Sequence, residues 1–193
     1  VSSINVTSPA SETYKAGQVI TLVATWSENV YGDANRSAIT ASTAPVLKVK
    51  FGSSTERTAT FSSATGSTIT YTYTIAAGDN GVLASTSYTG TVYDFAKNSG
   101  AATNKTLGGS SITADTVAAT LTRIDVIDPA TGVYKAGDVV TIVATYSENV
   151  YGNESRATIT ASTAPVLKVK FGSGTERTAT FGSATGNTVK YYY

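Results

Sequence analysis

The chain repeats itself at a constant offset of 120 residues, and this feature restricts its fold more than any other. Tyr14 recurs as Tyr134, and residues 39–53 return letter for letter as residues 159–173. Solenoid and propeller repeats are usually about 20–50 residues long. The much longer period found here indicates that the repeating unit is a whole domain.

The repeat also predicts the domain organisation. Residues 1–73 align with residues 121–193 without insertion or deletion. We therefore predict a complete first unit over residues 1–116 and the beginning of a second unit over residues 117–193. A unit of this size can bury its own hydrophobic core. Arrays of near-identical domains usually serve length, spacing or multivalency, and enzymes rarely duplicate a whole domain so faithfully.

Composition excludes several classes of function. The chain has no histidine and no cysteine, so it cannot form a Ser-His or Cys-His nucleophile. Glu28 and Glu56 are copied as Glu148 and Glu176, which is unlike a unique pair of catalytic carboxylates. A net charge of +1 with 14% charged residues gives no indication of a nucleic-acid partner. No apolar run reaches the ~18–20 residues of a membrane span. We predict that the protein is not an enzyme.

Short strands account for most of the chain. Between Val19 and Trp26 every second residue is apolar or aromatic, which is the period of a half-buried β-strand. Thr, Val and Tyr favour strands, while Gly and Ser mark the turns between them. No segment has a convincing helical period, and residues 33–44 are the least strand-like. Alternation predicts further strands over residues 45–51, 57–61, 68–75, 83–93 and 102–113.

This succession of about seven short strands, with turns every 8–12 residues, indicates an all-β fold. We predict tandem immunoglobulin-like antiparallel β-sandwiches, of which the second is incomplete. Tyr193 matches Tyr73, and residues 117–193 contain no counterpart of residues 74–113. Two interpretations stay open at this point. Either the chain is a piece of a longer tandem array, or a neighbouring molecule supplies the absent strands by strand addition.

Several short motifs occur in a fixed order along the chain. In this order and spacing they resemble the immunoglobulin-like repeats of large bacterial and archaeal surface adhesins and cell-surface layer proteins. Gln18 stands where that family usually has Asp, and the second copy has Asp138 there. The resemblance implies a β-sandwich, an extracellular location at the cell surface and a mechanical role, without fixing a ligand. The motifs are Tyr14-Lys15-Ala16-Gly17, Ser27-Glu28, Pro45-Val46-Leu47, residues 73–79, and Asp94-Phe95-Ala96-Lys97-Asn98.

Polar residues in predicted loops are candidate calcium ligands. In an immunoglobulin-type topology, the loop after the second strand and the loop before the last lie at one end, which would gather Glu28, Asp94 and Asn98. The linker residue Asp115 would approach Glu148 of the second unit. Calcium takes six to eight oxygen ligands at ~2.3–2.6 Å, so one hypothesis is a Ca²⁺ ion at the domain junction. The alternative is that the carboxylates cap turns by accepting backbone N–H groups.

Sugar attachment is a second candidate modification. The acceptor pattern Asn-x-Ser/Thr begins at Asn5, Asn35, Asn104 and Asn153. Asn5 lies in a predicted strand, so Asn35, Asn104 and Asn153 are the candidates. The pattern also arises by chance in a chain rich in Ser and Thr, and the sites at 35 and 153 do not occupy equivalent positions of the repeat.

Aromatic residues divide into two groups. Trp26, Tyr71 and Tyr73 fall on the inward faces of predicted strands, which indicates a structural role. Tyr31 and Tyr151 lie in a loop and are therefore candidates for contact with a partner.

Together these observations predict an extracellular structural protein that serves as the extender or stalk of a cell-surface adhesin. Its expected partners are other copies of itself or neighbouring repeats of the same polypeptide. One alternative is a self-assembling surface-layer or filament protomer whose chains complete one another's sandwiches. Another is a carbohydrate-binding module, which would need exposed, coplanar aromatic rings, for which Tyr31 and Tyr151 are the candidates.

Overall fold

A computed structural model describes residues 1–128 and 131–193. The described residues form strands, turns and loops without a helix, so the all-β prediction is confirmed. They accordingly include no helix with the length and apolar character needed to cross a bilayer. The chain divides into two compact units, unit 1 (Val1–Val117) and unit 2 (Ala118–Tyr193). Each unit has its own cluster of buried apolar side chains.

Unit 1 is built from two five-stranded sheets and a short hairpin. The first sheet has the order β11-β1-β3-β7-β6, the second has the order β2-β12-β8-β4-β5, and β9 pairs with β10. The strands are β1 (Ser3–Ser8), β2 (Glu12–Tyr14), β3 (Val19–Thr25), β4 (Val46–Phe51), β5 (Arg57–Thr58), β6 (Thr60–Thr65), β7 (Thr68–Thr74), β8 (Gly81–Thr89), β9 (Thr91–Tyr93), β10 (Ser99–Ala101), β11 (Leu107–Gly109) and β12 (Ile112–Ala114).

The period of two along the central strands decides which side chains enter the core. β3 and β7 run antiparallel, and their buried residues face one another in pairs such as Leu22 with Tyr71 and Ala24 with Ile69. Directly opposed side chains of this kind are the main stabilising contacts within a sheet. The outward faces of both strands carry mainly threonine and valine.

Aromatic contacts join the two sheets of unit 1 face to face. The rings of Tyr71 on β7 and Tyr88 on β8 meet edge to face with centroids 6.0 Å apart, and their hydroxyl oxygens are 3.2 Å apart. The Tyr71 hydroxyl also donates to the Pro45 carbonyl at 2.7 Å. Burial raises the pKa of both phenols. Two layers with one shared core are the arrangement of a β-sandwich.

Three segments predicted as single strands are divided between sheets. Residues 57–61 split at Ala59, because β5 pairs with β4 while β6 pairs with β7. Residues 83–93 split at Gly90, whose φ is +135° and where an added Cβ would lie 2.9 Å from the Pro45 Cα atom. Residues 102–113 give β11 in the first sheet and β12 in the second. The alternation of apolar and polar residues does not reveal where the chain passes from one sheet to the other. The residue at such a point, for example Ala59, is buried as it would be in a single continuous strand.

The first and last strands of unit 1 are paired in parallel. β1 pairs with β11, with Ile4 opposite Leu107. After the chain changes sheets, β2 pairs with β12, with Tyr14 opposite Ala114. The two ends of the unit therefore run side by side in both sheets.

Unit 2 reproduces only part of this arrangement. Its four-stranded sheet has the order β13-β14-β18-β17, and β15 pairs with β16. No counterpart of β8–β12 is found among residues 118–128 and 131–193. The strands are β13 (Leu121–Asp128), β14 (Thr141–Tyr146), β15 (Lys168–Val169), β16 (Arg177–Thr178), β17 (Thr180–Thr185) and β18 (Thr188–Tyr192).

Apolar side chains that are buried in unit 1 are therefore uncovered in unit 2. Phe51 is fully buried, whereas its counterpart Phe171 is 54% exposed. Ile4 is fully buried, whereas its counterpart Ile124 is 48% exposed. We call this uncovered surface the open face, and it consists of Ile124, Val126, Leu167, Val169 and Phe171, whose counterparts in unit 1 are all buried.

Candidate functional site

One end of unit 1 gathers five of the candidate residues that the sequence singled out, namely Glu28, Tyr31, Asn35, Asp94 and Asn98. The loop that follows β3 meets the β9–β10 hairpin there. Tyr31 and Tyr93 exchange two backbone hydrogen bonds, of 2.8 and 3.0 Å. This isolated bridge fixes the loop after β3 against the hairpin and places Tyr31 in a half-buried position.

Two tight turns at this end have the same construction. Each starts with an aspartate and has a cationic residue with positive φ at its fourth position, namely Arg36 at 64° and Lys97 at 73°. The Asp33 carboxylate accepts the Ser37 N–H at 3.0 Å and the Ser37 hydroxyl at 2.7 Å. These hydrogen bonds from Ser37 lower the pKa of Asp33. An aspartate that closes its own turn is stabilised in the charged form.

The second turn is closed by Asp94 and Asn98. The Asp94 carboxylate accepts the Asn98 side-chain amide and the Asn98 backbone N–H, both at 2.8 Å. These two hydrogen bonds, the side-chain one first, lower the pKa of Asp94. Both carboxylate oxygens are thus engaged within the turn, which is the role that the capping interpretation assigns to this residue.

A cation–π contact joins the two turns. The Arg36 guanidinium lies 4.0 Å from the centre of the Phe95 ring, and its Nε donates to the Phe95 carbonyl at 2.9 Å. Such contacts contribute about 0.5–1 kcal/mol at exposed sites. Phe95 is an exposed aromatic residue with one face of its ring covered by Arg36.

A depression of about 300 Å³ lies beside these turns. Glu28, Asp94 and Asn98 line it together with Trp26 and the edge of β10, so the structure brings three of the predicted calcium ligands to one place. Two carboxylates and one amide fall short of the six to eight oxygens that calcium takes, and Asp94 is already engaged with Asn98. These three residues alone do not make a calcium site.

The other two predicted calcium ligands lie in different units. Asp115 is exposed at the end of unit 1, where one of its carboxylate oxygens accepts the Val117 N–H at 3.2 Å. Glu148 is a partly exposed residue of unit 2. Across residues 1–128 and 131–193, no three acidic side chains cluster closely enough to hold a metal ion. The calcium hypothesis stays a prediction.

The three asparagines predicted to carry sugar are all exposed. Asn35 lies within the first turn, where its backbone N–H bonds to Asp33 at 2.8 Å. The Asn104 side chain accepts the Ser85 hydroxyl at 2.9 Å, and the Asn153 side chain accepts the Ala157 N–H at 3.1 Å. A glycan is attached at the amide nitrogen, so both of these bonds to the amide oxygen are compatible with glycosylation.

Tyr151, the counterpart of Tyr31, is an exposed residue in unit 2. It lines a depression of about 210 Å³ together with Arg156 and residues of the β17–β18 turn. Tyr31 and Tyr151 belong to separate units, and each unit presents one of them.

A buried ionic cluster at the opposite end of the first sheet has no counterpart among the sequence predictions. Asp79 is 1% exposed. Its carboxylate accepts the Tyr73 hydroxyl at 2.5 Å, the Ala76 N–H at 2.9 Å and the Arg57 Nε at 3.2 Å. Burial, and then the bond to Asp79, raise the pKa of Tyr73 to about 12. We call Asp79, Tyr73 and Arg57 the Asp79 latch. Its sequence signal was the motif over residues 73–79, where a turn aspartate follows a strand tyrosine.

No family model matches the chain, and no curated protein shows significant sequence similarity to it. The resemblance to surface-protein repeats therefore rests on the motifs of the chain itself.

Proposed function

We propose that this protein is a non-enzymatic extender: a tandem β-sandwich repeat of an extracellular, cell-surface adhesin that sets length and carries tensile load. The resemblance of its motifs to immunoglobulin-like surface repeats and the faithful 120-residue duplication support this function. So does the absence of histidine and cysteine nucleophile chemistry from the sequence.

The observation that carries the proposal is the parallel pairing of the terminal strands of unit 1. Tension applied at the two ends of the unit pulls on the first residue of β1. At the other end of the unit it pulls on the last residue of β12, in the direction in which β11 and β12 run. Because β1 and β11 are parallel, this force runs along the strands and loads their hydrogen bonds together. The pair of β2 and β12 repeats the geometry in the second sheet. A hairpin pulled open at one end would instead lose its bonds one at a time.

Pulling the full chain from two different pairs of points tests the proposal. The sequence has no cysteine, so introduced thiols give unique attachment points. The variant with Ser2→Cys and Val117→Cys loads the terminal pairs in shear. The variant with Ser2→Cys and Lys105→Cys separates β1 from β11 at one end. The three replaced residues are exposed, so both variants keep the core intact.

We expect the shear variant to unfold unit 1 in one event at a clearly higher force than the peeling variant. The shear event should release about 115 residues, which is roughly 400 Å of extended chain. Equal forces in the two geometries would refute a load-bearing role. The cell-surface location is tested separately, by labelling intact cells of the source organism with an antibody against the chain, and a signal only after lysis would contradict it.

A further inference from the structure

Identical sequences have different neighbours in the two units. In unit 1, the residues of β4 (Val46–Phe51) pair with β8 along the whole strand. The same letters in unit 2, residues 166–171, form only the two-residue strand β15, which pairs with β16 on one side. The other side of this segment is a strand edge, next to the open face. An uncovered edge with apolar side chains is a template for another strand.

Unit 1 shows which kind of segment covers this surface. β8 places Tyr88 opposite Leu47 and Leu83 opposite Phe51, and both side chains point into the core. Between them, the outward residue Ala84 is exposed. The counterparts of Leu47 and Phe51 are Leu167 and Phe171, both members of the open face. Unit 2 thus presents the same apolar side chains that the inward residues of β8 face in unit 1.

The contact point for a tyrosine is already formed in unit 2. In unit 1 the Tyr88 hydroxyl meets the Tyr71 hydroxyl, which donates to Pro45 at 2.7 Å. The counterpart Tyr191 makes the same bond to the Pro165 carbonyl, also at 2.7 Å. Its hydroxyl oxygen is therefore oriented to accept a bond from a tyrosine at the position of Tyr88.

Two residues of the Asp79 latch have counterparts in unit 2, whereas the aspartate has none within residues 118–193. Arg177 and Tyr193 correspond to Arg57 and Tyr73. In the described part of unit 2, no carboxylate pairs with Arg177, and its side chain is exposed. A segment with an aspartate two residues before its strand, as Asp79 precedes Gly81, would supply the missing charge.

We propose that the open face of unit 2 is an acceptor site for an extended segment with the sequence pattern of residues 79–114. The segment pairs antiparallel with residues 166–171, places a tyrosine against Leu167 and Tyr191, and puts an aspartate on Arg177. This inference does not depend on the extender role. Unit 1 of a second folded copy is not the donor, because its β8 is already paired with its own β4 and its Leu83 and Tyr88 are buried.

Adding the segment in trans to the full chain tests the proposal. The probe is a synthetic peptide of residues 76–117, and the readout is hydrogen exchange of the amides in residues 166–171. At a saturating concentration, the peptide should slow exchange of the amides in residues 166–171 by at least about tenfold, because an open strand edge becomes a paired strand. Residues 46–51 serve as the internal control, and their exchange should not change.

Matched peptides separate strand insertion from non-specific adhesion. The Leu83→Glu peptide places a charge on the inward face and should lose the protection. The Ala84→Glu peptide places the same charge on the outward face and should retain it. The Asp79→Asn peptide should bind at least about tenfold more weakly, since it cannot form the ion pair with Arg177. Equal binding of the two Glu peptides would overturn the proposal.

A second experiment controls for a negative result that arises only because the free peptide is insoluble or fails to adopt an extended conformation. Residues 74–117 are fused after Tyr193, so that the same segment is offered in cis. Protection of residues 166–171 in this chain supports the site, and continued fast exchange overturns it. The chain without peptide is examined by analytical ultracentrifugation. Self-association that protects the same amides and resists competition by the peptide would assign the open face to a second copy and overturn the proposed occupant.

Discussion

Phe51 and Phe171 allow one side chain to be tested in two environments within the same molecule. Residues 39–53 and 159–173 are identical, so local propensity cancels between them. Phe51 is fully buried and packs against Tyr73 with ring centroids 6.2 Å apart. Phe171 packs against Tyr193 at 5.4 Å, yet it remains 54% exposed. Replacing each phenylalanine by alanine measures how much the free energy of unfolding gains from the strands that cover Phe51 and not Phe171.

The expected magnitudes follow from burial. Removing a fully buried phenylalanine costs about 3–5 kcal/mol, because the lost transfer energy is joined by the energy of the cavity. Full burial of such a side chain is worth about 1.5–3 kcal/mol, and Phe171 is buried only to about half, next to solvent that fills any space left. We therefore expect Phe171→Ala to cost about 1 kcal/mol.

Urea unfolding provides the assay for unit 1, because the chain has a single tryptophan. Trp26 is buried in unit 1, so its fluorescence follows that unit. With a slope of about 1–3 kcal/mol per M, Phe51→Ala should lower the midpoint by about 2 M, whereas Phe171→Ala should leave it in place. Hydrogen exchange reports the loss in unit 2. Equal losses of stability at the two positions would refute the reasoning.

Three further predictions concern unit 1 and use the same tryptophan signal. Asp79→Asn should lower the free energy of unfolding by about 2–3 kcal/mol, because it replaces one buried acceptor oxygen by an NH2 group and removes the charge that pairs with Arg57. Stability should fall between pH 10 and pH 12, since the pKa of Tyr73 is raised from 10.0 to about 12 and its neutral form favours the fold. The contribution is complete below pH 10 and is lost as the pH passes the folded-state value. Gly90→Ala should cost about 2 kcal/mol or more, because the new Cβ would meet the Pro45 backbone.

Each of these predictions has an internal control. Asp33→Asn imitates Asn153 at the same repeat position and should change stability by less than about 0.5 kcal/mol; a loss equal to that of Asp79→Asn would contradict the latch. Tyr73→Phe should reduce the fall between pH 10 and pH 12 without abolishing it, because burial also raises the pKa of Tyr71 and Tyr88. An unchanged profile would exclude Tyr73 as one of its sources. Gly17→Ala introduces a side chain at φ +89° into open space and should cost only about 1 kcal/mol.

The strands were predictable where one face is buried and the other is not. Ile20, Leu22 and Ala24 on β3 are all buried, as their alternation indicated. The sheet switch at Ala59 was not predictable, because the same buried position serves a strand of either sheet. The switch at Gly90 had a signal in its glycine, but the close approach to Pro45 depends on pairing between distant segments.

The end of unit 1 with the two turns was predictable in part. The topology argument brought Glu28, Asp94 and Asn98 together because it needed only the order of strands and loops. The contact of Arg36 with Phe95 joins residues 59 positions apart on exposed loops, where no periodic pattern reports proximity. Burial of Asp79 was hidden for a related reason, since an aspartate in a turn usually faces solvent.

The difference in closure between the two units is tested most directly by hydrogen exchange of the unmodified chain. The peptides of residues 46–56 and 166–176 can be told apart by mass because Ser54 corresponds to Gly174. We predict slow exchange in the first, where β4 is paired with β8, and fast exchange in the second, which has no counterpart of β8 beside it. Equal protection of the two peptides would contradict the claim that unit 1 is closed and unit 2 is open.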